Sequence, residues 1–173
     1  MAIKKDKITI VPPHKNISRP ANDNDAKLIV ELSERMDKLM DDLIIAGVFS
    51  EIFALHHSQI VSRPINFFVI YKNNQRLNEK YPDFPRVIVN PKIIDHTNQL
   101  LIKGEGCLSF PGKPHAEVNR WNKILCEYQI PVLQDDGSYT LSDIHCENIT
   151  GVLSQMFQHE IDHANGIYIY KLK

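Results

Sequence analysis

Gln158-His159-Glu160-Ile161-Asp162-His163, near the end of a 173-residue chain, decides how the rest is read. On an α-helix, His159 and His163 lie one turn apart and face the same way, the spacing at which two imidazoles grip one metal ion. Glu160 stands beside them, where a carboxylate takes a proton from a metal-bound water. A surface helix that merely carries two histidines is the alternative, and the hydrophobic periodicity weighs against it. Ile149, Val152, Leu153, Met156, Phe157 and Ala164 recur at three- and four-residue steps, with Glu160 and His163 inside the stripe and His159 at its edge. Gly151, Ser154, Gln158, Asp162 and Asn165 are expected on the opposite, solvent face. Imidazoles turned toward a core need partners, and a metal supplies them.

Zinc peptidases with this motif usually draw their third ligand from downstream. Only ten residues follow His163, and none is Cys, His, Asp or Glu, so the third ligand is expected upstream. Cys107 stands out for its setting, Gly104-Glu105-Gly106-Cys107-Leu108-Ser109-Phe110-Pro111-Gly112. Glycines on both sides let backbone approach a ligand closely and leave amides free to point at it. A thiolate with two imidazoles leaves one position open, the mark of a catalytic site. Cys126 lies in an apolar run and reads as core; Cys146, just ahead of the final helix, is a weaker candidate. His14, His96, His115 and His145 fall in polar segments and read as solvated loop residues.

Length 173 suits one domain spanning residues 1–173, with enough chain for a core. Twenty Lys and Arg balance 21 Asp and Glu without a basic run, so the footprint of a nucleic-acid binder is missing. Apolar runs are too short for a membrane span, and no apolar block follows the first lysines as a secretory signal requires. Three cysteines, an odd count without framework spacing, suit a reducing compartment such as the cytoplasm.

Residues 1–25, with Pro12, Pro13 and Pro20, read as an extended arm holding at most a short strand at Ile8–Val11. Asp23, Asn24 or Asp25 can cap a helix running to about Ala46, with Leu28, Ile29, Leu32, Met36, Leu39, Met40 and Leu43 buried and Gly47 ending it. Strand-like runs follow at Asn66–Tyr71 and Arg86–Asn90, separated by a turn-rich loop. Others lie at Leu100–Lys103, Ile124–Leu133 and Tyr139–Leu141, the last two joined by the hairpin signal Asp135-Asp136-Gly137. The expected fold is α+β: mixed or mostly antiparallel sheet packed around a C-terminal metal-binding helix, plus one N-terminal helix.

Glu105-Gly106-Cys107-Leu108-Ser109 together with Gln158-His159-Glu160-Ile161-Asp162-His163 resembles two signature motifs of the peptide deformylases, with lesser echoes in Asn90-Pro91-Lys92-Ile93 and Arg120. The resemblance runs from about Lys27 to the last residue. The family's first motif, Gly-x-Gly-Leu-Ala-Ala-x-Gln, is altered here to Ile52-Phe53-Ala54-Leu55-His56-His57-Ser58-Gln59. Leu55 and Gln59 match, both glycines are lost, and two alanines have become histidines. Side chains added at 52 and 54 are expected to narrow or reshape the cleft.

What the resemblance implies is a single divalent ion, iron(II) in the family with zinc, nickel or cobalt able to replace it, held by Cys107, His159 and His163. It implies removal of the formyl group from the N-formylmethionine of nascent peptides, by attack of metal-bound hydroxide with Glu160 as general acid and base. Gln59 and the Leu108 backbone N–H are the implied oxyanion donors. Gly106, Phe53 and Ala54 would line the substrate backbone. Val152 and Met156, seven and three residues before His159 on one helix face, would wall an apolar pocket for the methionine side chain. Arg120, Asp162 and His57 are second-sphere candidates, His57 alternatively bonding only within its own altered segment. Many bacterial members dock on the ribosome through a long final helix; the ten residues after His163 leave that contact in question. A monomer or weak oligomer is expected. Two rivals are a relative acting on another N-acyl or amide substrate through an altered cleft, and a non-catalytic binder of peptide amino termini.

Overall fold

The computed structural model describes residue 10 and residues 16–171. The expected strand at Ile8–Val11 and the first part of the expected arm therefore lie outside the described residues, Ile10 apart.

Helix α1 (Ala26–Ile45) starts after Asp25, one of its expected caps, and a 3-10 turn at Asp23–Asp25 leads into it and carries the cap. Asn22 accepts the Asn24 N–H at 3.0 Å while the Asp25 carboxylate accepts the Asn22 N–H at 3.0 Å, a reciprocal capping box. Gly47 ends it: at φ +67° it lets its own N–H reach Ile44 O at 2.9 Å and the Val48 N–H reach Leu43 O at 3.1 Å. Ile29, Met36, Leu39 and Met40 are buried as the periodicity predicts. Leu28, expected with them, is 45% exposed, because the stripe is narrower than seven positions.

Five antiparallel strands form the sheet: β1 (Ala54–His56), β2 (Phe67–Ile70), β3 (Val87–Glu105), β4 (Ala116–Gln129) and β7 (His145–Thr150), in the order β1-β2-β3-β4-β7. A separate ribbon, β5 (Pro131–Leu133) and β6 (Tyr139–Leu141), turns through Gly137 at φ +81°. The runs Arg86–Asn90 and Leu100–Lys103, expected as two strands, are the two ends of β3. That strand stays continuous because register shifts near 90, 94 and 104 absorb its irregularities. At the first shift Asn90 sits at φ +52°, and its side chain bonds both Ala21 N and Ala21 O (2.8 and 3.0 Å), tying the N-terminal segment to the sheet.

Side chains of β2 alternate between two cores. Phe67 and Val69 join the cluster under α1, whereas Phe68 and Ile70 join the cluster under α3 (Gly151–Ala164), so the two helices cover opposite faces. Ser154 and Gln158, expected on the solvent face of α3, are buried. Ser154 Oγ and Gln158 Nε2 donate to Trp121 O (2.7 and 2.8 Å), and Gln158 Oε1 accepts the Trp121 N–H at 2.8 Å. The helix thus docks on β4 through main-chain groups, which a polar residue satisfies better than an apolar one. Helix α2 (Gln75–Lys80) stands where a loop was expected, its start capped by Asn74. Among the described residues, no helix is long and apolar enough to cross a membrane.

Candidate metal centre

The turn after β3 and the inner face of α3 bring Cys107, His159 and His163 together, each buried, with their ligand atoms all within 4.8 Å of one another. Cys107 Sγ lies 3.3 Å from His163 Nε2, and the two Nε2 atoms are 3.0 Å apart. Two imidazole lone pairs cannot face each other at that distance unless a proton or a cation sits between them. The protonation pattern agrees. Burial alone would lower His159, but Cys107 and Glu105 outweigh it and hold that ring well above ordinary imidazole values. Burial and the charge on His159 push His163 well below them. A sulfur with two nitrogens converging on one point suits a borderline-soft transition metal.

Behind His159 lies a buried ionic network. Glu105 Oε1 meets His159 Nδ1 at 2.8 Å, so the ring's other nitrogen is directed at the cluster. Arg120 grips Glu105 through Nε at 3.0 Å and Nη2 at 2.5 Å, and reaches Asp162 with Nη1 at 2.6 Å. Burial would raise the Glu105 carboxyl, yet His159 and Arg120 hold it down at about 2. Arg120 and Asp162, the sequence candidates, thus meet behind the ligands, and Glu105 joins them as a residue the sequence reading left without a role. Its signal was there: an acidic residue inside a glycine turn, two positions before the cysteine.

Glu160 is buried beside the ligands, and its Oε2 has no hydrogen-bond partner in the protein. Burial pushes its carboxyl up to about 7, with His159 pulling the other way. Gln59 is locked at both ends: its carbonyl accepts the His56 N–H at 2.8 Å, and its amide donates to Ser109 Oγ at 3.1 Å, 3.9 Å from Cys107 Sγ. Ser109 was also missed, its serine looking like any turn residue. The histidines of the altered segment lie outside this arrangement. His57 Nδ1 accepts the Ile65 N–H at 3.0 Å and its ring packs 4.8 Å from Phe67, which leaves it out of the Glu105–Arg120 network. His56 Nδ1 accepts the Ser58 N–H at 3.0 Å, and Ser58 Oγ in turn donates to His163 O at 3.1 Å.

A cleft of about 620 Å³ opens over the cluster. Phe53, Ala54, Gly106, Leu108, Val152 and Met156 line it, together with Cys107, His159 and Glu160. His115 is an exposed loop residue, as expected, and it also stands in the cleft wall against Gly106, where an added Cβ would meet its ring at 3.2 Å. His96 and His145 are on strands, stacked on Trp121 and Tyr128. Cys126 is core, its thiol pushed up to about 12 by burial.

Fold and cleft define an α+β protein whose last α-helix contributes two histidines to a buried group of side chains that could hold a metal ion. The chain belongs to the polypeptide deformylase family, whose profile matches residues 9–172. It is 30% identical over 152 residues to the peptide deformylase of Bradyrhizobium diazoefficiens, covering 86% of this chain and 81% of that one. The peptide deformylase of Mesorhizobium japonicum is 31% identical over 177 residues, covering 100% of this chain and 88% of the relative. The crystal structure of peptide deformylase from Thermotoga maritima superposes with a TM-score of 0.67 at 25% identity, covering 95% of this chain and 96% of that one.

Proposed function

We propose that this chain removes the formyl group from the amino-terminal formylmethionine of nascent peptides, with a divalent ion, iron(II) by preference, held by Cys107, His159 and His163. The observation that carries the reading is the buried Glu160 carboxylate, with one oxygen unpartnered in the protein, lining the same cleft as the three donor atoms. A bound divalent ion supplies Lewis acidity and makes water a nucleophile at neutral pH.

The chain's own residues do the rest. Glu160 takes the proton from the attacking water and passes it to the departing amine, acting as general base and then as general acid. Gln59 and the Leu108 N–H donate to the oxyanion that develops on the formyl carbon, each such donor being worth about 3 kcal/mol. With its carbonyl tied to His56, the Gln59 amide is pre-set for this task rather than free to rotate. Val152 and Met156 receive the unbranched first side chain, and Gly106 with Phe53 and Ala54 aligns the substrate backbone as an added strand. Formate and a free amino terminus leave. The Glu105–Arg120–Asp162 network holds His159 in register throughout.

Glu160→Ala is expected to keep metal and fold while formate release from formyl-Met-Ala-Ser falls about 10²- to 10⁴-fold. Release at the parent rate by metal-loaded Glu160→Ala protein would sink the assignment.

A further inference from the structure

The cleft is not electrically uniform. Its floor carries carboxylates that are buried: Glu105, neutralised by Arg120 and His159, and Glu160. Its exposed rim carries three cations, Arg76, Lys103 and Lys113, against one exposed carboxylate, Glu51. Among the described residues no ion pair engages any of the three. Two of them are seated rather than sweeping through solvent. Arg76 lies 5.8 Å from the centre of the Phe53 ring, and Lys113 lies 5.5 and 5.3 Å from the Phe110 and Tyr170 rings. An aromatic face fixes where a cation sits without cancelling its charge, so these positions stay available to an anion. Tyr170 is itself anchored, its hydroxyl donating to Pro114 O at 2.6 Å.

Resting on the deformylase reading, we propose that this rim selects formylated peptides with acidic side chains at the second and third residues. With the formyl group over the metal donors and the first side chain against Val152 and Met156, the following residues leave across the exposed rim. Aspartate or glutamate there finds unpaired cations, and lysine or arginine meets only Glu51. Each exposed charge pair contributes a factor of about 1.5 to 5, and three cations acting on two carboxylates multiply to about 10-fold.

The test compares kcat/KM for amidated formyl-Met-Asp-Asp, formyl-Met-Ala-Ser and formyl-Met-Lys-Lys on the metal-loaded enzyme, amidation removing the terminal charge. At low ionic strength the acidic peptide is expected to exceed the basic one about 10-fold, mostly through KM. The ratio should collapse to about 2 or less near ~0.5 M salt, where screening reaches only a few ångströms. Arg76→Glu combined with Lys113→Glu should lower or invert the ratio. Glu51→Gln, a change at an exposed position, should raise it and keeps the idea falsifiable if the double variant fails to fold. Turnover of all three peptides with equal kcat/KM overturns this proposal alone; no turnover of any of them overturns the deformylase reading and the proposal with it.

Discussion

Acid should unfold this protein through two buried histidines that lie outside the metal cluster. His56 and His57 are almost fully buried, and burial pushes them down to about 3 and about 4. In the unfolded chain both return to about 6.5. A ring kept neutral by folding stabilises fully above about 6.5, and that stability is lost as pH falls toward its folded value. At pH 5 the unfolded rings have taken their protons and the folded ones have not. The gap of about 1.5 pH units at about 1.36 kcal/mol each gives about 2 kcal/mol per ring, hence about 4 kcal/mol for the pair between pH 7 and 5. That is a large share of the 5–15 kcal/mol typical of a domain. Asparagine suits the control, because its Oδ1 can stand where each Nδ1 now accepts a backbone N–H, from Ser58 and from Ile65. Urea unfolding of metal-free protein at pH 7, 6 and 5 is the assay. His56→Asn with His57→Asn should flatten the fall in stability by about 4 kcal/mol, whatever it does to stability at pH 7. Parallel curves for variant and parent across that range would refute the reasoning.

Three further changes probe other layers. Cys107→Ser should lower metal retention after dialysis, read by elemental analysis, since an alcohol replaces the thiolate among the donors; full occupancy would point to a different ligand. Arg120→Leu strands Glu105 as a buried carboxylate and leaves the half-buried Asp162 without its partner, so a loss of about 3–5 kcal/mol in urea unfolding is expected, with metal affinity about 10- to 100-fold weaker; an unchanged unfolding midpoint would show the network to be idle. Gly47→Ala places a side chain in open space but at φ +67°, so the cost should be backbone strain alone, about 1 kcal/mol in thermal or urea unfolding. No change there would mean that the end of α1 does not need its left-handed residue.

The helix that carries His159 and His163 was legible because its chemistry and its period coincide: a four-residue step brings His159 onto the face of His163, and the apolar stripe says that face is inward. Cys107 was legible from the glycines around it. Polar residues that docked rather than faced solvent were not. Ser154 and Gln158 look like any outer helix face until β4 supplies the Trp121 peptide group they bond, and that partner lies 37 residues from Gln158 in sequence. Strand β1 is three residues long, too short for a period, and β7, of six residues, is rich in polar side chains, so neither shows a period of its own. They are strands because β2 and β4 offer them an edge. Helix α2, six residues capped by Asn74, hid inside a segment whose asparagines and prolines read as turns. For the strands and for Ser154 and Gln158 the deciding partner lies elsewhere in the sequence.

The altered first motif shows the same dependence on tertiary setting. Glycine is required where backbone takes a positive φ, or where a side chain would block a ligand. At residues 52–54 the first condition does not arise. None of them has positive φ, and the side chains at 52 and 54 are absorbed by the fold. Ile52 is buried in the cluster under α1 and Ala54 in the one under α3, while Asn74 Nδ2 donates to Ile52 O at 2.7 Å to hold the segment in place. Phe53 stays half-buried with its ring offered to Arg76. The side chains added at 52 and 54 are thus taken up by the two cores, whereas Phe53 between them gives the rim an aromatic seat for a cation. The bulk acquired at 56 and 57 is likewise turned into packing and backbone hydrogen bonds, whose cost falls on acid stability rather than on access to the site.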